Sequence, residues 1–498
     1  MKLLKKIPFF LLLLAVFFCL HGSVENYGYL DLYEVMQVGG IIILCMAVFF
    51  ALVWLFTKDH LFAGLLAFFI GLWYLFFGAI HDLIKTTAFL HFLQSYTVLL
   101  PVLLVMNILV AWWLKRSRPL YQKLFLYLNV LFLIFCVSDA VLLLSKATGY
   151  KEIAYPNPVA FDQSKVTAKP NVYFLLFDEY AGYKSLNDSF HYKNDSLYSY
   201  LQQQQFQALP TFSNYDFTPF SMSSILNMQY VPENYNRQQL TQPDIQHRFG
   251  EIRNAQVPAI FKSMGYSIVN NSIFDIKGHP ALYQSNGLFP IHAELLTNKI
   301  FHNRLIKNIG WWLATGRFTV NFIKEHYMYR KDAYNRQVEK NLLDASVAPA
   351  TNPRFWYAHF LLPHGQFYRD SSGNLNTAEK ILNLKYLADK SLYLAYLKYT
   401  NNIIKGLVKN IGAKDPGAIV IIMSDHGFYD YDNPGDYDPY NYDNICFVRS
   451  PAAPADTVNL PRSNVNFFRH FFNRHFGQNL PYISDSTIYV IEDPAVLR

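Results

Sequence analysis

Ile419-Val-Ile-Ile-Met-Ser-Asp-His-Gly427 joins an apolar, β-branched run of strand length to an abrupt Asp-His-Gly ending. In an α/β protein, functional side chains collect just beyond the carboxyl ends of parallel strands. Asp425 and His426 are residue types that bind metal ions, and Gly427 permits a sharp turn after them. The stretch therefore predicts a buried strand that supplies half of a metal site, which other parts of the chain must complete.

A second apolar run ends in carboxylates in the same way. Residues 172–177 read Val-Tyr-Phe-Leu-Leu-Phe and are followed by Asp178 and Glu179. Taken alone, these acids are as well explained as solvated side chains at a strand end. Two strands that end in Asp-Glu and in Asp-His favour a shared site instead. Carboxylate and imidazole ligands together suit one divalent cation, such as zinc or manganese.

A hydroxyl at a predicted helix start is the next candidate. Thr218 precedes Pro219, and Thr is favoured at the N-cap while Pro is favoured at the first helical position. Backbone N–H groups and the helix dipole favour anions at such a position. Thr218 is therefore a candidate nucleophile for a phosphate or sulfate ester, with metal coordination to stabilise its alkoxide. An ordinary helix cap is the alternative, and Ser221 and Ser223 lie within about a turn.

The run 355–362 leads into Pro363-His364-Gly365, so a further strand delivers a histidine at its end. His364 is a candidate to bind a substrate oxyanion or to protonate a leaving group, because imidazole titrates near neutral pH. His359 lies inside the same run and is predicted to be structural. The charge and place of His364 make it a second candidate catalytic residue beside Thr218.

Residues 1–144 have a different character and are dominated by apolar side chains. Four runs approach the length needed to span a membrane, and a shorter one precedes them. The five predicted segments are 7–20, 36–57, 61–80, 98–114 and 124–144. The first follows basic residues, so a cleaved signal peptide is the alternative to a retained helix.

Lys and Arg alternate between the loops of this region, and they concentrate in cytoplasmic loops. Basic residues precede the first segment, Lys58 lies in the second loop, and the fourth loop holds four basic residues, Lys115, Arg116, Arg118 and Lys123. The other two loops hold only Lys85 among acidic residues. The N-terminus is therefore predicted to be cytoplasmic. Everything after residue 144 is predicted to lie outside, in the periplasm or the extracellular space. The net charge of +7 includes this loop charge, so it indicates no nucleic-acid partner.

The rest of the chain is predicted to be a Pro-containing linker, 145–170, and an exported α/β domain, 171–498. Strand-like runs at 172–177, 266–269, 355–362 and 419–423 alternate with helical stretches such as 392–410. This alternation predicts a mostly parallel sheet sandwiched by helices. Cys446 is the one cysteine of the predicted domain, which excludes a disulfide within it.

Four motifs of this chain, taken in order, resemble the sulfatase-like branch of the alkaline phosphatase superfamily. They are the strand that ends at Asp178, the helix start at Thr218, the strand that leads to His364, and the strand that ends at Asp425-His426-Gly427. The match is closest to its membrane-anchored lipoteichoic acid synthases and phosphoethanolamine transferases, which also carry transmembrane helices before an exported domain. The resemblance implies an alkaline phosphatase/sulfatase-like fold and one divalent metal ion, zinc or manganese first and calcium or magnesium second. By position, the implied metal ligands are Asp178 or Glu179, Thr218, Asp425 and His426; Thr218 is the implied nucleophile and His364 the implied contact to the transferred phosphoryl group.

The resemblance also implies an activity. A head group of the phosphoglycerol or phosphoethanolamine type would pass from a phospholipid to a glycan or lipid acceptor through a covalent intermediate on Thr218. The alternative is a sulfatase-like phosphodiesterase or ester hydrolase, although the Cys-x-Pro-x-Arg and Ser-x-Pro-x-Arg patterns of sulfatases are missing at the site. A third hypothesis is a non-catalytic membrane protein that takes part in the assembly of a cell-surface polymer.

Overall fold

The structure is a computed structural model of the 498-residue chain. It describes residues 3–27, 30, 32–149, 158–231, 242–283, 289, 293–315, 321–345, 352–382, 384–429, 438–452 and 459–490. The chain divides into two compact units. The first comprises Met1–Glu152 with Gln284–Gly316, and the second comprises Ile153–Tyr283 with Arg317–Arg498. The segment 284–316 therefore interrupts the second unit in sequence.

The described N-terminal part of the first unit is helical. Apolar side chains on all sides of a helix suit it to a lipid environment, because lipid offers no polar partners to either face. The helices are α1 (Phe9–Glu25), α2 (Leu32–Thr57), α3 (His60–Leu75), α4 (Phe77–Thr86), α5 (Tyr96–Arg116) and α6 (Tyr121–Gly149).

Among the described residues, three helices are long and apolar enough to cross a membrane, namely Leu32–Thr57, Tyr96–Arg116 and Arg118–Thr148. They correspond to three of the five predicted segments. The predicted segment 61–80 is instead divided between α3 and α4, which are bent by 57° and make a fourth span if taken together. The predicted segment 7–20 forms α1, which has 17 residues and is shorter than the others.

The first helix packs inside its unit. The side chain of Asn129 on α6 accepts a hydrogen bond from the Phe10 backbone N–H at 2.6 Å and donates to the carbonyls of Leu4 and Ile7 at 2.8 and 3.0 Å. Phe10 and Leu14 are fully buried. These contacts satisfy backbone groups at the start of α1, which an apolar surrounding would otherwise leave without partners.

The second unit is built on a six-stranded sheet of order β2-β6-β5-β1-β4-β3. The strands are β1 (Val172–Phe177), β2 (Gln207–Ala208), β3 (Ser267–Asn271), β4 (Arg354–Phe360), β5 (Ile419–Met423) and β6 (Cys446–Arg449). β1 pairs in parallel with β4 and β5, and β3 pairs in parallel with β4. β6 is antiparallel to β5 and to β2. The α/β prediction is confirmed, with a mixed sheet that is parallel at its centre.

Helices cover both faces of this sheet. Alternate residues of β1 enter different clusters, with Tyr173, Leu175 and Phe177 in one and Val172 and Phe174 in the other. The remaining helices, of which α12 and α13 belong to the first unit, are α7 (Tyr183–Phe190), α8 (Asp195–Gln203), α9 (Thr218–Asn227), α10 (Gln242–Arg253), α11 (Gln256–Ser263), α12 (Glu294–Thr297), α13 (Phe301–Thr315), α14 (Asn321–Ala345), α15 (Ala378–Leu382), α16 (Lys390–Lys414) and α17 (Phe467–Phe476). Because both faces are covered, the strand ends are the places where polar side chains gather.

Candidate active site

The carboxyl ends of the two central strands bring the predicted ligands together. β1 and β5 are parallel neighbours in the register Leu176 to Met423, so Asp178 and Asp425 follow at equal distances beyond it. Oxygen and nitrogen atoms of Asp178, Asp425 and His426 lie within 4.8 Å of one another. All three side chains are buried. The sheet register thus brings the Asp178 carboxylate to the carboxylate and imidazole of Asp425 and His426, which are far from it in sequence.

Thr218 joins this group as the first residue of α9. Its Oγ1 lies 3.2 Å from His426 Nε2 and 3.4 Å from Asp178 Oδ1. The predicted N-cap role of Thr218 is wrong by one residue. Phe217 is the N-cap, because its backbone is extended and its carbonyl already accepts the N–H of Phe220 and Ser221. The Thr218 hydroxyl therefore faces the ligand cluster instead of capping its own helix.

The two nearby serines have other partners. Ser221 is buried and its Oγ donates to the carbonyl of Asp425 at 2.7 Å. Ser223 is fully buried and its hydroxyl donates to the carboxylate of Glu251. Ser221 therefore holds the backbone of the candidate ligand Asp425, while the Thr218 hydroxyl lies against the side-chain atoms of the candidate ligands Asp178 and His426.

Glu179 lies beside the cluster with a different set of contacts. Its backbone has φ +61°, an uncommon conformation for a residue with a side chain, and its N–H donates to Asp425 Oδ1 at 3.1 Å. Its Oε1 accepts the N–H of Tyr429 at 3.0 Å, and its Oε2 lies 3.8 Å from His364 Nε2. The three-residue cluster among the described residues contains Asp178 and not Glu179.

His364 and Lys331 bring basic side chains next to these acids, and burial lowers the pKa of His364. His364 Nδ1 donates to the carbonyl of Gly365, so Nε2 faces Glu179. Lys331, on α14, donates to the same carbonyl at 3.5 Å, and burial lowers its pKa against the opposing charges of Asp178 and Glu179. The sequence gives no signal for Lys331, because it stands among ordinary helix charges and only the tertiary fold brings it here.

The buried carboxylates of the site concentrate negative charge, which a bound cation would neutralise. Burial alone would raise the pKa of Asp178, but the imidazoles of His364, His359 and His426 hold it below its usual range. Burial raises the pKa of Glu179 to about 8. Burial would lower the pKa of His426, but the charges of Asp425, Asp178 and Glu179 raise it to about 9. The protonated ring of His426 therefore balances negative charge of the carboxylates, a role that a bound metal ion could also fill.

The donor set fits a divalent metal ion. Glu179 Oε2 and Asp425 Oδ2 are buried and accept no hydrogen bond among the described residues. Imidazole nitrogens lie near both, with His364 Nε2 3.8 Å from Glu179 Oε2 and His426 Nε2 3.4 Å from Asp425 Oδ2. A buried carboxylate oxygen without a hydrogen bond is costly, so such atoms commonly mark a bound cation or water. Two carboxylates, an imidazole and a hydroxyl suit a borderline divalent ion such as zinc or manganese. The residues of the site therefore fit the metal that the sequence resemblance implies.

Comparison with known proteins gives structural similarities only. The sequence matches no family model and no curated protein. The C-terminal periplasmic domain of EptC from Escherichia coli, in complex with zinc, is 13% identical with a TM-score of 0.39, and the match covers 66% of this chain and 87% of that one. The phosphonate monoester hydrolase of Silicibacter pomeroyi is 14% identical with a TM-score of 0.39, over 64% of this chain and 75% of that one.

A third similar structure is the periplasmic domain of phosphoethanolamine transferase EptC from Campylobacter jejuni. It is 12% identical with a TM-score of 0.35, over 61% of this chain and 89% of that one. A putative sulfatase from Bacteroides fragilis is also similar, at 12% identity with a TM-score of 0.37, over 67% of this chain and 77% of that one. Identities and scores at this level carry no conclusion about function.

Proposed function

We propose that this protein is a membrane-anchored, metal-dependent transferase that moves a phosphoryl-containing head group from a phospholipid to a glycan or lipid acceptor. The observation that carries the proposal is the position of the Thr218 hydroxyl, 3.2 Å from His426 Nε2 and 3.4 Å from Asp178 Oδ1. A hydroxyl held against metal-ligand types at the start of a helix suits nucleophilic attack on a phosphate ester. The apolar helices of the first unit support a membrane-embedded donor, of the phosphoglycerol or phosphoethanolamine type.

Asp178, Asp425, His426 and the Thr218 hydroxyl would hold one divalent metal ion. When bound, such an ion supplies the positive charge that favours ionisation of the hydroxyl and stabilises charge on the phosphoryl oxygens. Two hydrogen bonds hold the backbone of Asp425 in place. Ser221 and Ser213 donate to the carbonyl of Asp425 at 2.7 and 2.6 Å. Zinc and manganese suit this donor set best, with calcium and magnesium as alternatives.

In the first step, Thr218 Oγ1 attacks the phosphorus of the lipid phosphodiester. The new Oγ1–P bond forms as the P–O bond to the lipid alcohol breaks. We assign to His364 the transfer of the proton: its Nε2 takes the proton that the Thr218 hydroxyl releases and gives it to the leaving lipid oxygen. In the second step, the acceptor hydroxyl attacks the same phosphorus and the Thr218 oxygen leaves as a hydroxyl. Each step exchanges one P–O bond for another, so no oxidant or further reactant is needed.

A hydrolase would share the first step and use water in the second. To separate the two, the full-length protein in lipid vesicles is given a phospholipid labelled in its head group, with and without candidate glycans. Label that appears on a glycan or lipid acceptor supports the transferase. Release of the free labelled head group at one rate, whatever acceptor is present, would establish the hydrolase instead.

A non-catalytic role in surface-polymer assembly makes a different prediction. Metal analysis of the purified full-length protein is expected to give about one divalent ion per chain, because the site offers one set of ligands. If the protein takes up no divalent ion even when zinc, manganese, calcium and magnesium are offered in turn, the catalytic proposal is lost and the binding role becomes the better account.

A further inference from the structure

His359 contacts Asp178 across the sheet, although the sequence predicts only a structural role for it. β4 lies beside β1 in the register His359 to Leu176. Alternate residues of a strand share a face, so Asp178 lies on the same face as Leu176 and reaches His359. The distance from His359 Nε2 to Asp178 Oδ2 is 3.3 Å.

The two oxygens of Asp178 have different surroundings. Oδ1 lies 3.4 Å from Thr218 Oγ1 and 3.9 Å from His426 Nε2, which places it in the ligand cluster. Oδ2 faces His359. One oxygen therefore belongs to the candidate metal site, while the other is held from behind by a side chain that does not enter that site.

The contact continues to Tyr357. An ionised carboxylate only accepts hydrogen bonds, so His359 Nε2 carries the hydrogen and donates it to Asp178. The Tyr357 hydroxyl lies 3.2 Å from the other ring nitrogen, His359 Nδ1. Tyr357, two residues earlier on β4, shares the face of His359 and forms a hydrogen bond with it. The chain runs Tyr357 to His359 to Asp178.

Burial makes this arrangement specific. Tyr357 and His359 are fully buried and Asp178 nearly so. Polar groups in such surroundings cost free energy unless each has a partner, and a fully partnered chain is held in one geometry. Partners of this kind orient metal ligands and commonly contribute strongly to metal affinity.

We propose that the hydrogen-bonded chain Tyr357–His359 is a positioning device that holds Asp178 so that it binds the metal ion through Oδ1 alone. The inference rests on the proposed metal site and deepens it. Under this inference, Asp178 and not Glu179 is the acidic ligand that follows β1. One oxygen of Asp178 lies in the metal site and the other lies outside it. His359 and Tyr357 act through Asp178 and touch neither substrate nor metal.

Cobalt(II) binding to the full-length protein tests this, because the visible spectrum of cobalt reports the geometry of its ligands. His359→Leu is expected to weaken cobalt and zinc affinity by about 10–100-fold and to change the spectrum. Tyr357→Phe keeps the ring and removes only the hydroxyl, so a smaller loss with a spectral change in the same direction is expected. The matched control is His470→Gln on α17, a buried histidine whose Nδ1 pairs with the Tyr482 hydroxyl at 2.8 Å.

The variant Asp178→Asn distinguishes a failure of the positioning role from a failure of the proposed metal site. If it abolishes cobalt binding while His359→Leu and Tyr357→Phe bind with unchanged affinity and spectrum, the positioning role is overturned and the metal site stands. If Asp178→Asn binds cobalt as the unaltered chain does, the proposed metal site itself fails. Should His359→Leu not fold, Tyr357→Phe decides alone, and an unchanged affinity and spectrum in that variant overturns the inference.

Discussion

The Thr218 hydroxyl is the residue-scale feature on which the proposed chemistry depends. Phe217 supplies the cap of α9, so Thr218 is not needed to hold its own helix. Its oxygen lies between Asp178 and His426 instead. The proposed nucleophile needs an oxygen that is near the candidate metal ligands and is not committed to a backbone group, and Ser221 fails the second condition.

Replacing Thr218 tests this directly. Thr218→Ala is expected to lower head-group transfer on the order of 10⁴-fold or more, the scale of losing a covalent nucleophile, whereas Thr218→Ser keeps an oxygen and retains measurable transfer. Ser221→Ala removes one hydrogen bond to the Asp425 carbonyl, so a loss of less than about tenfold is expected. The measurement is the initial rate with labelled phospholipid. Full activity in Thr218→Ala would sink the assignment.

Proton competition at His426 gives metal binding a defined pH dependence. The neighbouring carboxylates raise the pKa of His426 to about 9 in the metal-free protein, so this ring is protonated at pH 7 and must lose its proton to bind metal. The dissociation constant for zinc is therefore expected to rise by about tenfold for each pH unit below 9, with release of about one proton. Calorimetry in buffers of different ionisation enthalpy measures both, and a pH-independent constant between pH 6 and 8 would contradict it.

The sequence alone predicts the candidate site residues that directly follow apolar strands. Asp178 and Asp425 were predictable because a buried run that stops at an acid leaves that acid at a sheet edge. The choice among Thr218, Ser221 and Ser223 was not predictable, since it depends on tertiary contacts that commit Ser221 to a backbone carbonyl and Ser223 to the Glu251 carboxylate. Lys331 and the pairing of His359 with Asp178 depend on how α14 and β4 pack, which local sequence does not encode.

At the scale of elements, the turn after β5 holds the site against a neighbouring segment. Gly427 N–H donates to the carbonyl of Asn441 at 2.7 Å, and a Cβ on Gly427 would collide with the carbonyl oxygens of Tyr440 and Asp443. The close approach of these backbones explains why glycine follows Asp425 and His426. Residues 430–437, which follow this turn, lie outside the described ranges.

Gly427→Ala is expected to lower the free energy of unfolding by about 1–3 kcal/mol, because backbone atoms must shift to admit the methyl group. Thermal unfolding of the purified protein followed by circular dichroism measures the effect as a lower Tm. Gly417→Ala is the matched control, since a Cβ there meets nothing within 4 Å. Equal melting of the two variants would show that the contact with Tyr440 and Asp443 is not rigid.

The elements that sequence periodicity identified are the long ones. β1 and β5 were predicted to the residue because each is an unbroken apolar run, buried along its whole length. β2 and β6 were missed because they have two and four residues, too few to show a pattern. The division of one predicted span into α3 and α4 was also missed, because apolar composition continues through the bend between them.

At the scale of the whole molecule, an apolar helical unit and an α/β unit share one chain that passes between them more than once. The loop charges predict that the α/β unit lies outside the cytoplasm, where a lipid head group of the outer leaflet and a surface acceptor would be available. The proposed chemistry needs this placement, because its donor is a membrane lipid and its acceptor a surface polymer or lipid.

Cysteine accessibility tests the placement. In a chain with exposed Cys45 replaced, Ser372→Cys in the exposed turn of the second unit is expected to react with a membrane-impermeant maleimide on intact cells. Ser117→Cys, between α5 and α6, is expected to react only after permeabilisation, since its loop is basic and predicted to be cytoplasmic. The reverse pattern would invert the topology.

The most direct test of the central claim is mass spectrometry of the full-length protein after brief incubation with a labelled phospholipid and metal, without acceptor. The account predicts that one peptide carries the phosphoryl-containing head group on Thr218, and that the adduct disappears when acceptor is added. It also predicts that Thr218→Ala carries no adduct. An adduct on Ser221 or another residue, or lipid turnover with no adduct at any time, would contradict it.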